Sequence, residues 1–241
     1  MLDLLSDACW PGIPPRPFVI VPIGSTEQHG PHLPFSTDTL VASAVAAQLA
    51  ERFSSEHRRV VVAPAVPYGA SGEHQDFPGT SSIGHDALVL LIVELVRSLS
   101  TWAGQIVFVN GHGGNVSALS AAIPMMIGES HRVSWVPCAV PDGDAHAGRT
   151  ETSLMLHLHP ELVNLGNAAS GNVEPIASLL PRLRSEGVRN ISPSGVLGDP
   201  SGSTSKEGAE ILAAMVTAIR RRLEDGVVDE RGCLVRFSSV V

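Results

Sequence analysis

Glu27 and His29 stand two residues apart in the run GSTEQHGPHLPFSTDT, and Asp38 falls near the end of the same run. On an extended backbone, residues i and i+2 point to the same side. A carboxylate and an imidazole so placed can reach one divalent cation, or one each of two adjacent cations. Asp38 sits where an Ala-rich helix is expected to begin. The partial positive charge of a helix N-terminus keeps a carboxylate ionised, as a metal ligand must be. A plainer reading makes Glu27 and His29 loop hydrogen-bonders and Asp38 a helix cap. The ExH pattern alone is weak evidence for metal, and the GPHLP and TD that follow strengthen it.

Three further stretches carry groups of the same kind. In VNGHGGN, His112 follows an apolar run, and its flanking glycines let backbone approach a ligand closely. A Gly-rich loop here could instead cradle a phosphate, although it is neither GxGxxG nor a P-loop. An ordinary hydrogen-bonded histidine is a third reading. In HAGRTETS, His146 precedes a helix and Glu151 falls in its first turn. Such a pair can serve as ligand, general base or general acid, and Glu151 could equally do no more than favour the helix N-terminus. Tyr68 to His74 (YGASGEH) is assigned to pocket lining, with Glu73 and His74 as weaker candidates that support a ligand. Ser71 and Ser153 lie outside GxSxG and are poor nucleophile candidates. Cys138 could approach a metal or sense oxidation, or be a small buried apolar residue.

These groups need a frame. The apolar runs Phe18 to Ile23, Val60 to Ala63, Ile106 to Val109 and Val133 to Pro137 read as strands. Helical patterns follow each, at about residues 38–53, 85–102, 115–128 and 150–159. Four strand–loop–helix units argue for an α/β domain with a mostly parallel sheet and helices on both faces. In open sheets of this kind ligands bind beyond the carboxyl ends of the strands. His29, His32, His74, His112 and His146 all fall in those loops, whereas His57, His85, His131, His157 and His159 fall on helices or their ends. The last third reads as less regular, apart from a helix at about residues 206–224 with Thr204 and Glu207 at capping-box spacing. Residues 1–17 are Pro-rich and read as an arm on a single domain spanning 1–241.

Composition narrows the function. A length of 241 residues supports one sizeable core, and the scarcity of aromatics leaves Ala, Val and Leu to fill it. A net charge of −8 with no basic patch speaks against nucleic acid as a partner. No apolar run is long enough to span a bilayer. The N-terminus lacks the basic flank and apolar segment of a signal peptide, so a cytoplasmic protein without membrane partners is expected. Three cysteines without CxxC spacing make a disulfide framework or zinc knuckle unexpected.

Taken in order, GSTEQHGPHLPFSTDT, EHQDFPGT, VNGHGGN and HAGRTETS resemble the creatininase family of metal-dependent amidohydrolases, over roughly residues 18–215. The resemblance implies a creatininase-like three-layer α/β/α fold and hydrolysis of an amide C–N bond by a metal-activated water. It also implies two divalent ions, for which mixed oxygen and nitrogen ligands suit Zn, Fe or Mn. By resemblance, Glu27, His29, Asp38 and His112 are metal ligands, Asp38 bridging the two ions, and His146 and Glu151 are the active-site pair. Creatininase itself has a glutamate ligand two residues after the histidine of NGH. Gly114 stands there in this chain, and Glu151 is expected to serve in its place. No counterpart of the creatinine enzyme's tryptophan-bearing closing loop is evident, so creatinine is not the expected substrate.

Within the family, the likeness extends through APAVPYGASGEHQ, VPCAVPDGDAHAG and SPSGVLGDP. It is greatest to peptidases that act on a ribosomally made, radical-SAM-modified precursor peptide and release its C-terminal Val-Tyr unit as a small cyclised product. The implied partners are that modified precursor peptide and further copies of the chain, because the family forms closed homo-oligomers, hexamers or larger. Two other readings stay open. The same site could open a cyclic amide or remove a formyl group, or the chain could be a non-catalytic metal-binding scaffold.

Overall fold

The computed structural model describes residues 4–141 and 143–237. Four strands, β1 (Phe18–Ile23), β2 (Val60–Val62), β3 (Gln105–Asn110) and β4 (Val133–Pro137), form one sheet in the order β2-β1-β3-β4. All neighbours are parallel. The strands are Val- and Ile-rich without polar alternation because both faces are covered. Alternate residues divide between the faces. Phe18, Ile20, Val107 and Val109 face one apolar cluster, while Val19, Val21, Ile23, Ile106 and Phe108 face the other.

The first cluster is filled by α1 (Thr37–Ser55), α4 (Arg149–Leu158) and α7 (Ser205–Asp225). The second is filled by α2 (His85–Leu99) and α3 (Val116–Gly128). The result is the expected three-layer α/β/α sandwich. Register sets Ile23, Asn110 and Pro137 side by side at the carboxyl ends. From β1 the chain steps outward to β2, then crosses back to β3 on the other side of β1. That reversal opens a crevice between the ends of β1 and β3. The loops after these two strands are the ones that carry Glu27, His29 and His112.

Gly111 lets the helix close this crevice. A Cβ there would lie 2.3 Å from the Asp38 carbonyl oxygen. The missing side chain allows the first turn of α1, with Asp38, to press against the end of β3.

The last third is more ordered than its sequence suggests. Helices α5 (Ile176–Glu186) and α6 (Val188–Ile191) form a small cluster from Leu179, Leu183, Val188, Ile191 and Leu197. They pack against a short 3₁₀ turn, Gly72–His74. A hairpin of β5 (Val227–Val228) and β6 (Leu234–Val235) follows α7. Just before β6, Cys233 bridges Trp135 of β4, and at the opposite edge Leu4 of the arm bridges Val62 of β2. Trp10 of the arm is exposed. Among the described residues no helix is long and apolar enough to cross a membrane.

The Thr204 hydroxyl accepts the Glu207 backbone N–H at 3.1 Å and caps α7. Thr204→Ala is expected to lower unfolding stability by about 1 kcal/mol. Urea titrations of the two proteins check this, and unchanged midpoints would refute it.

Candidate metal centre

Three rings of the centre, those of His29, His112 and His146, are each oriented by a backbone carbonyl. His29 Nδ1 donates to the Glu27 carbonyl at 3.0 Å, which turns Nε2 toward Asp38 Oδ1, also at 3.0 Å. His112 Nε2 lies 3.2 Å from the Ala70 carbonyl, and its Nδ1 stands 3.2 Å from both Glu27 Oε1 and Asp38 Oδ2. His146 Nε2 donates to the Gln28 carbonyl at 2.8 Å, leaving Nδ1 3.8 Å from Glu27 Oε1. Fixing one ring nitrogen by a carbonyl is how proteins leave the other for a cation. Ser25 Oγ donates to Asp38 Oδ2 at 2.7 Å and holds that carboxylate in place.

Glu27 decides the character of the site. It is fully buried, and neither carboxylate oxygen has a hydrogen-bond partner. His112 Nδ1 is near Oε1 but not aligned to bond it. A buried carboxylate without hydrogen bonds costs several kcal/mol unless a positive charge compensates it. The potential ligand atoms fall into three sets, each within 4.8 Å: Glu27, Asp38 and His112; His29, His146 and Glu151; and Glu27, His74 and His146. This donor chemistry fits divalent cations. Mixed carboxylate and imidazole ligands suit the harder and borderline transition metals.

Without a cation, protons serve as the compensating charge. Burial opposes the charged form of His29, but Asp38 lifts its pKa to about 10. Burial likewise opposes charge on His112, and Glu27 and Asp38 raise it well above the usual histidine range. Burial pushes both carboxyls up, yet His112 beside Glu27 and His29 beside Asp38 hold them below their usual range. Burial drives His146 well below the ordinary histidine value, with the charge on His29 adding to it, and takes His74 down to about 3. Burial raises the Glu151 carboxyl to about 7. Glu151 Oε2 accepts the Ala147 N–H at 2.6 Å and lies 3.8 Å from His29 Nε2. Its side chain is 21% exposed, against 8% or less for the other six groups, so it marks the open side.

All the candidate ligands and the His146–Glu151 pair therefore meet in one place, together with His74, which sequence reasoning held to a supporting part. Several other candidates do not join them. His32 Nε2 meets Thr152 Oγ1 at 2.9 Å. Ser153 donates to Glu207 and accepts from the Thr204 N–H. Cys138, half-buried, packs against the α1 side of the core, where burial and the nearby Asp38 charge push its thiol up, and it joins none of the three ligand sets. His85, His131 and His159 pair with Asp86, Glu129 and Glu161 away from the centre.

Gly114 has no room for a side chain. A Cβ there would lie 2.3 Å from the Ala70 carbonyl oxygen and 2.4 Å from His112 Nε2. The residue that sequence reasoning missed is Asp144, whose carboxylate accepts the backbone N–H groups of Arg149 and Thr150. It pins the start of α4 and so sets where Glu151 emerges. An acidic residue shortly before a helix was the available signal.

The creatininase model (creatinine amidohydrolase) matches residues 10–223. The chain belongs to the creatininase family. It is 54% identical over 219 residues to the mycofactocin precursor peptide peptidase of Mycolicibacterium smegmatis, covering 90% of this chain and 89% of that one. Identity to the protein of the same name from Mycobacterium tuberculosis strain H37Rv is 50% over 212 residues, covering 86% and 84%. Among solved structures, a zinc–zinc form of a creatininase variant superposes with a TM-score of 0.74 at 24% identity, covering 94% of this chain and 98% of that one. A manganese form of creatininase gives 0.73 at 24% identity, covering 94% and 99%. These structures share the fold. The chain is thus a member of a family of metal-dependent amidohydrolases, a hydrolase of C–N bonds.

The protonated rings predict how metal enters. At pH 7 the metal-free chain carries protons on His29 and His112, which a bound cation must displace. Calorimetric titration with zinc or manganese in buffers of different ionisation enthalpy should register release of at least one proton per chain. Asp38→Ala and His112→Ala should abolish stoichiometric uptake. Full metal content in both variants would remove these residues from the centre.

Proposed function

We propose that this chain is a cytoplasmic metallopeptidase that cleaves the modified mycofactocin precursor peptide and releases its C-terminal Val-Tyr-derived unit. The near-full-length likeness to the mycobacterial peptidases carries the choice of substrate. Support for the chemistry comes from the buried Glu27 carboxylate, which has no hydrogen-bond partner, and the rings around it. Glu27, Asp38 and His112 would hold one divalent cation, and His29 and Glu151 a second, with Asp38 between them. The metals would be Zn, Fe or Mn, and the working form a closed homo-oligomer. Such cations supply a Lewis acid for the scissile carbonyl and make a neighbouring water acidic enough to attack near neutral pH.

The chain's own groups handle the protons. His146 holds its hydrogen on Nε2 against the Gln28 carbonyl, so Nδ1 is the nitrogen able to take a proton from the attacking water. Glu151, the most exposed group of the centre, would pass a proton to the leaving amine. Its place on the open side is where a peptide's departing nitrogen would lie. Glu27, His29 and Asp38 are buried, so bulk water would reach bound cations only through that opening.

The metal-loaded protein should cleave the modified peptide, with both fragments visible by mass spectrometry, and leave creatinine and simple formamides intact. His146→Ala and Glu151→Gln should each lower kcat about 10²- to 10⁴-fold. Full turnover by both variants would sink this assignment of roles, and turnover of creatinine in preference to peptide would sink the substrate.

A further inference from the structure

His74 sits among the potential ligand atoms, with Nε2 3.5 Å from Glu27 Oε1. Whether that nitrogen offers a lone pair or a hydrogen is settled by its other neighbour, Gln28. The Gln28 amide is buried and its orientation is fixed twice over. Oε1 accepts the Gly30 backbone N–H at 2.9 Å, and Nε2 donates to the Gly195 carbonyl at 3.1 Å. Exchanging the two ends would set N–H against N–H at Gly30 and oxygen against oxygen at Gly195.

One amide hydrogen therefore remains on Gln28 Nε2. Two imidazole nitrogens are near it, His74 Nδ1 at 2.8 Å and His146 Nε2 at 3.1 Å. His146 Nε2 already carries a hydrogen directed to the Gln28 carbonyl. The remaining amide hydrogen thus goes to His74 Nδ1, which must be the unprotonated nitrogen. In a neutral ring the proton is then on Nε2, the atom that faces Glu27. A nitrogen bearing hydrogen has no lone pair for a metal. His29, His112 and His146 give their N–H groups to carbonyls and keep a lone pair toward the centre. His74 is wired the opposite way.

We propose that His74 is not a metal ligand but a hydrogen-bond donor, its Nε2–H placed by Gln28 to stabilise the oxygen of the scissile amide as negative charge develops on it. This rests on the amide-hydrolase reading of the site. Gln28 is the positioning residue, and Gly195 holds Gln28. A Cβ on Gly195 would fall 1.9 Å from Gln28 Oε1, and its φ of +81° is one that glycine adopts freely. The segment carrying Gly195 also pairs with the backbone of His146 through Leu197. One distant loop thereby holds both the Gln28 amide and the backbone of His146.

The test uses the full-length, zinc-loaded protein. His74→Ala should retain the wild-type zinc content, keep KM within a few-fold and lose about 10²- to 10³-fold in kcat, the effect of removing one such donor. His74→Gln, which restores an N–H donor, should recover part of that rate. Nitrogen-15 spectra of the zinc-loaded wild type should show His74 protonated at Nε2 and bare at Nδ1. Gln28→Glu, which replaces the amide donor with an acceptor, should move that proton to Nδ1. Loss of zinc in both His74 variants, a proton on Nδ1 in the wild type, or undiminished kcat in His74→Ala would each overturn the proposal. A wild-type protein that cleaves no amide would instead remove the function on which it rests, whatever the variants do.

Discussion

A carboxylate sealed from water with nothing donating to it is the constraint around which this molecule is arranged. Glu27 lies at the crevice where the strand order reverses, fully buried, with both oxygens unpartnered. A protein interior tolerates such a group only if positive charge stands against it. The rings of His112, His74 and His146 and the second carboxylate of Asp38 close round it from four different segments. Protons on His29 and His112 can offset that charge, and a bound cation would displace them.

The backbone chooses which atom each ring presents. Carbonyls of Glu27, Gln28 and Ala70 take the outward N–H groups of His29, His146 and His112, so each ring, once neutral, turns its lone pair inward. Two of those carbonyls belong to the loop that supplies Glu27 and His29 itself. The short interval after β1 thus contributes the candidate ligands Glu27 and His29, orients a second ring, His146, and, through the Gln28 side chain, addresses a third, His74. Such a loop is intolerant of insertion because each peptide unit has a separate hydrogen-bonding task.

Much of this was legible in the chain. Val- and Ile-rich runs marked the four strands, and a polar loop directly after β1 or β3 could lie only at the carboxyl edge, so Glu27, His29 and His112 declared themselves by position. Thr204 and Glu207 announced the start of α7 by spacing that the cap then uses. His74 was harder to place. It follows a loop of no regular period, and its position comes from a 3₁₀ turn buttressed by α5 and α6, which are remote in sequence. Those helices were themselves obscured, because Pro181 inside α5 reads locally as a breaker. The β5–β6 hairpin has two residues per strand, too few for an alternating pattern to register. The wiring of Gln28 depends on Gly195, a contact that no local pattern can carry.

The two margins of the sheet are each bordered by a segment from outside it, Leu4 beside Val62 and Cys233 beside Trp135. The Trp135 indole N–H and its backbone N–H are taken up by the carbonyls of Arg231 and Gly232. Unpaired strand margins invite a second molecule to continue the sheet. Here a neighbouring segment takes one position on each margin. Loss of either segment would expose backbone to fibre-like addition while leaving the crevice and its histidines untouched.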